Sequence, residues 1–111
     1  MSGGYFLSAD AEEDLQGIYL YTDEVWGQWQ ARLYLTRLYD LFDHLGRNPA
    51  MGRSRPEIGA GIRSFPHGAH VVFFMKWQDE VAIVRVLHGS MDIDSLFGNG
   101  DLLSSVGKRE T

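Results

Sequence analysis

Four histidines are the first candidates for chemistry in this chain: His44, His67, His70 and His88. Their spacing matches no metal-type motif, so no metal site is expected. Carboxylates crowd the N-terminal part at Asp10, Glu12, Glu13, Asp14, Asp23 and Glu24. There they suit a solvated helix face and the positive end of a helix dipole better than an acid pair for hydrolysis. Chain order alone yields no Ser-His-Asp set. Gly59-Ala60-Gly61 lacks the helix and the Lys-Ser/Thr pair of a phosphate loop. No catalytic residue and no cofactor is therefore expected. The groups left over are Arg63, His70, Lys76, Arg85 and His88. Arg85 interrupts the apolar run 81–87, and an interior arginine needs an acid partner or an outlet to water. An acid such as Asp92 or Glu57 is the expected partner. The alternative is a cationic patch of Arg63, Arg85 and His88 that stabilises a phosphate or grips an acidic protein.

The elements that would position these groups can be read from periodicity. Tyr5-Phe6-Leu7 is a short first strand, and Ser8 can N-cap the segment after it. Ala11, Leu15, Ile18, Tyr19, Thr22, Val25 and Trp26 recur at steps of three and four, which predicts a helix over 9–26 ended by Gly27. A second helix begins near Gln28. Ala31, Tyr34, Leu35, Leu38, Leu41, Phe42 and Leu45 line one side of it, and Gly46 with Asn48-Pro49 stops it. So short a connection makes the pair an antiparallel αα-hairpin.

Residues 49–61 hold five Gly or Pro and read as an irregular loop of functional length. Three extended runs follow, at 62–65, 69–77 and 81–88, with turns at 66–68 and 78–80. They predict an antiparallel meander. Within 69–77, His70, Val72, Phe74 and Lys76 face one way, while Val71, Phe73, Met75 and Trp77 face the other. Both faces are apolar, and a helical hairpin covers only one. Either the chain's own loop and tail cover the second face, or another polypeptide does. The fold class expected is α+β in the order β-α-α-β-β-β, with the hairpin packed on a small antiparallel sheet. One domain should span 1–97, and 98–111 should form a flexible tail.

Composition narrows the partners. The formal charge is −5, which disfavours a non-specific grip on nucleic acid. There is no cysteine, the start Met1-Ser2-Gly3-Gly4 carries no secretion signal, and no apolar run nears the roughly 20 residues that span a bilayer. The cytosol, without membrane contact, is the expected location.

Several phrases together resemble the ParE-type toxins of the RelE/ParE superfamily. They are LSADAEEDLQGIYLYTDEVWG, NPAMGRSRPEIGAGIRSFPHGAHVVFF and VAIVRVLHGSMD, in that order, over about Phe6 to Phe97. The combination of Asn48-Pro49, Gly52-Arg53, the run from Pro56 to Arg63, Arg85-Val86-Leu87-His88 and Met91-Asp92 carries the specificity. The resemblance implies a bacterial type II toxin that acts on DNA gyrase by binding and is silenced by a ParD-type antitoxin. Contact with DNA would be indirect, through antitoxin or gyrase. The antitoxin would lay a helix on the hairpin and an extended segment across the sheet, a standard pairing of recognition modes. Leu15, Ile18, Tyr19, Leu35, Leu38, Phe42, Phe73 and Met75 are the candidate antitoxin contacts. The RelE branch, ribosome-dependent mRNA endoribonucleases, shares the fold but gathers basic residues on its sheet. A non-toxic module that only pairs with the antitoxin is the third reading.

Overall fold

Ser8 turns the first strand into the first helix within one residue. Its hydroxyl accepts from the Ala11 N–H at 3.0 Å and donates to the Val84 carbonyl at 2.8 Å, while its own N–H reaches the Ile83 carbonyl at 3.0 Å. A buried serine that caps a helix leaves none of its polar groups unsatisfied. The computed structural model describes residues 4–90. Strand β1 (Gly4–Leu7) leads through Ser8 into helix α1 (Ala9–Trp26), followed by helix α2 (Gln28–Arg47). A 3₁₀ turn at Pro49–Met51 precedes strands β2 (Arg53–Ser54), β3 (Arg63–His67), β4 (His70–Trp77) and β5 (Glu80–His88). The single residue between the helices is Gly27, at φ 95° and ψ 164°. A side chain there would be strained, so glycine makes the sharp reversal possible. The expected tail at 98–111, and the domain limit before it, lie outside the described residues.

The five strands form one sheet in the order β1-β5-β4-β3-β2. From β2 to β5 every ladder is antiparallel, as the meander predicts. At the other edge β1 runs parallel to β5, pairing Tyr5 with Val81 and Leu7 with Ile83, so the sheet is mixed rather than wholly antiparallel. The reason is topological: the chain travels from β1 through the helical hairpin and strands β2 to β4 before it reaches β5, a connection long enough for parallel pairing. The loop expected at 49–61 contains the two-residue strand β2. Gly52 sits before it because a Cβ there would lie 2.2 Å from the Phe74 ring.

The sheet has an apolar layer on each face. Toward the helices, Val72, Phe74, Val81, Ile83 and Val86 pack with Ala11, Leu15, Ile18, Leu38, Leu41, Phe42 and Leu45. On the other face, Phe6, Phe73, Ala82, Val84 and Leu87 are buried together with Ile62, and Ile58 packs against them. The Arg55 guanidinium lies 5.6 Å from the Phe73 ring centre. The chain's own loop 55–62 thus lies over this face, so of the two expected coverings the loop is the one found here and a second polypeptide is not needed to bury Phe73.

The hairpin is longer than the core it covers. Buried positions on α1 end at Ile18, and after Ala31 those on α2 resume at Leu38. Val25 and Trp26, expected on the core stripe, are exposed, as are Leu20, Tyr21 and Trp29; Trp26 keeps 69% and Trp29 76% of their surface. Periodicity shows which side of a helix is apolar, but not how far along it the partner layer extends.

Candidate functional site

A β-bulge shapes the end of the sheet under the hairpin. Gln78-Asp79 closes the β4–β5 turn with Trp77 opposite Glu80, and regular pairing continues to Phe74 opposite Ile83. Phe73 then pairs with Arg85, so Val84 is the extra residue. Without that shift His70 would face Leu87. With it, His70 faces His88, and their ring centres stand 5.6 Å apart.

The bulge also sets the position of Arg85. Its Nε and Nη2 donate to the two Asp14 carboxylate oxygens at 2.8 and 3.0 Å, and the Val86 N–H donates to the same carboxylate at 2.9 Å. The partner is therefore Asp14 on α1, not Glu57; Asp92 lies outside the described residues. The carboxylate beside it raises the Arg85 pKa further, against a smaller effect of burial. Arg63, two strands away, donates from Nη1 to the Gly52 carbonyl at 2.8 Å. His88 Nδ1 lies 2.7 Å from the Ser90 hydroxyl. The three proposed cationic residues thus have three separate local partners and share none.

Tyr34 organises the histidines. Its hydroxyl donates to the His67 carbonyl at 3.0 Å and stands 2.6 Å from His70 Nδ1. A hydroxyl has one proton, so while it bonds the His67 carbonyl the Tyr34 oxygen can only accept from His70, which requires the tautomer with Nδ1–H. Burial first, then His88 and His67, hold the His70 pKa below its ordinary value. A neutral ring fits that arrangement. A groove of about 490 Å³ opens here, walled by Tyr21, Thr22, Trp26, Gln30, Tyr34, His70 and His88. It continues along α1 into a second depression edged by Glu13, Asp14, Gly17 and Ile18. Neither Tyr34 nor Trp26 stood out as a site residue in the sequence. The signal available was an aromatic at the end of an apolar stripe, beyond the reach of a small sheet.

A third groove, of about 310 Å³, lies on the opposite flank of α1, between the two helices, lined by Glu12, Leu15, Gln16, Tyr19, Leu35 and Tyr39. Three candidate antitoxin contacts, Leu15, Tyr19 and Leu35, meet there. Ile18 falls on the other flank, in the depression beside Glu13. Leu38, Phe42 and Phe73 are wholly buried, and Met75 is partly buried on the far face. A partner can touch the first three only by opening the core.

The family model described as "ParE toxin of type II toxin-antitoxin system, parDE" matches residues 5–93. The chain belongs to the ParE toxin family. It is 38% identical over 95 residues to Toxin ParE1 of Mycobacterium tuberculosis, covering 85% of this chain and 97% of that protein. It is 36% identical over 94 residues to Toxin ParE1 of Caulobacter vibrioides, covering 85% and 97%. With Toxin ParE of Escherichia coli the identity is 33% over 90 residues, covering 80% and 87%. A solved chain of the chromosomal ParDE toxin–antitoxin system from P. aeruginosa superposes with a TM-score of 0.66 at 20% identity, over 77% of this chain and 94% of that one. That likeness bears on the fold, and it carries the ParE order of one strand, two helices and a meander. Among the described residues, no helix of this ParE-family chain is long and apolar enough to cross a membrane.

Proposed function

We propose that this ParE toxin inhibits DNA gyrase by binding it in the cytoplasm and is neutralised by a ParD-type antitoxin. The antitoxin's helical segment would lie in the outer hairpin groove. The carrying observation is that groove itself: Leu15, Tyr19 and Leu35 line an open depression with Tyr39, a residue 40% exposed. Amphipathic helices dock in such grooves through side chains at steps of three and four. An extended antitoxin segment reaching the sheet would contact Met75 at the margin of the loop-covered face rather than Phe73 beneath it. Action by binding rather than by chemistry is supported by the state of the arginines. Arg85 is tied to Asp14, Arg63 to a backbone carbonyl and Arg55 to Glu57, whereas cleavage of RNA calls for cations free to converge on a phosphate.

The test has two parts. Purified toxin should inhibit gyrase supercoiling, and an equimolar ParD-type antitoxin should relieve it. Tyr19→Glu with Leu35→Glu, both at half-buried positions, should abolish that relief while inhibition persists. Unaffected gyrase together with cleavage of mRNA on translating ribosomes would replace this reading with the RelE-like one.

A further inference from the structure

The tip of the hairpin leaves Leu20, Tyr21, Val25, Trp26 and Trp29 in solvent. Clustered aromatics at this exposure are uncommon on an isolated soluble domain and mark interaction surfaces. Beneath them runs the groove walled by Tyr21, Trp26 and Tyr34. Its extension is edged by Glu13 and Asp14. This surface shares no residue with the outer groove: its extension at Glu13 and Asp14 lies on the opposite flank of α1, and Thr22 and Trp26 stand one to two turns beyond Tyr19.

Charge identifies the occupant. The first 31 residues contain six carboxylates and no lysine or arginine, Arg32 being the first base. At the groove's extension Asp10, Glu13 and Asp14 all act on the one Arg85 guanidinium, so negative charge remains in excess. Aromatic walls with an acidic edge fit a cationic side chain, held by its charge and by the ring faces. A second copy of this chain would bring the same carboxylates against themselves, and a nucleic acid would bring phosphates.

We infer that the hairpin tip and the groove beneath it form a second docking surface, which takes an arginine or lysine side chain on a segment of the protein this toxin attacks. The inference rests on the reading of the chain as a toxin that acts by binding. It divides the molecule: the outer groove meets the antitoxin, and the tip with the groove beneath it meets the target.

The experiment compares the full chain with Tyr21→Ser/Trp26→Ser and with Glu13→Lys, each checked for an unchanged circular dichroism spectrum. All three positions are exposed, so the fold should persist. Two quantities are read: growth arrest on induction in cells lacking the antitoxin, and affinity for the purified antitoxin. The double variant should need at least about tenfold more protein to arrest growth, as loss of a Trp-centred anchor implies. Its antitoxin affinity should change less than about twofold, because distant sites act independently. Glu13→Lys should weaken arrest in the same direction. Arrest at wild-type levels by the double variant would overturn the inference. Three other results would do the same: equal loss of antitoxin binding, a wild-type chain that leaves cells healthy, or a wild-type dimer in sedimentation that Trp26→Ser dissolves. If the wild type arrests growth through this surface but leaves purified gyrase unaffected, the gyrase reading fails and the docking surface stands.

Discussion

The Asp14 carboxylate accepts from Nε and Nη2 of Arg85 and from the Val86 N–H, joining α1 to β5 across 71 residues of chain. The pair is partly shielded, with 12% of the Asp14 and 21% of the Arg85 side chain exposed. Asp14→Ala strands a guanidinium and a backbone donor together. The expected cost is about 2 kcal/mol, below the range for a fully buried pair because water still reaches both ends. Urea denaturation measures it. Arg85→Met in the same chain should recover part of the loss, since it removes the stranded charge.

Gly52→Ala tests the close approach of β2 to the core. The new Cβ would meet the Phe74 ring at 2.2 and 2.7 Å, and Phe74 is wholly buried. Overpacking of this kind costs about 1–3 kcal/mol. A midpoint of denaturation equal to that of the wild type would mean that β2 can lift away freely.

Ser8→Ala removes a helix cap and the donor to the carbonyl of the bulge residue Val84 in one step. About 1–2 kcal/mol of stability should disappear, more than an exposed cap alone would contribute. Thermal unfolding at neutral pH is a sufficient measurement.

Stability should fall as solutions turn mildly acidic. Burial, then His88 and His67, depress the His70 pKa from its ordinary 6.5, and burial, then Arg37, depress that of His67. The unfolded chain therefore takes up protons at a pH where the folded one resists them. The folded state loses ground as the pH drops through about 6.5, and the loss is complete below the two folded values. Above 6.5 the contribution is absent. His70→Asn should narrow the gap between melting temperatures at about pH 7.5 and 5.5. An unchanged gap would assign the acid sensitivity to other groups.

Much of this architecture is legible in the residues. Ser8 and Gly27 bracket α1 at the positions the structure gives it, because a cap and a residue at φ 95° are local features with local causes. The two faces of β4 follow from alternation alone. The bulge is not legible, since the run from Val81 to Leu87 is apolar around Arg85 and nothing in it marks an extra residue. Everything set by the bulge is hidden with it: the facing of His70 by His88, and Asp14 as the partner of Arg85. The tip of the hairpin is hidden for another reason. Val25 and Trp26 continue the core stripe in sequence, but the layer beneath ends before them.

The edge position of β1 governs how this protein is born. Among the described residues its ladder partner is β5, with Leu7 beside Ile83, and Ser8 and Asp14 take their distant bonds from the same strand. A ribosome that has made everything before residue 80 holds a chain whose opening strand can meet α2, as Tyr5 does Phe42, but has no strand to pair with. Contacts so far apart in sequence form late and slowly. Assembly of the toxin must therefore wait until translation has passed β5, and an antitoxin that recognises the folded hairpin meets a finished molecule rather than an emerging one.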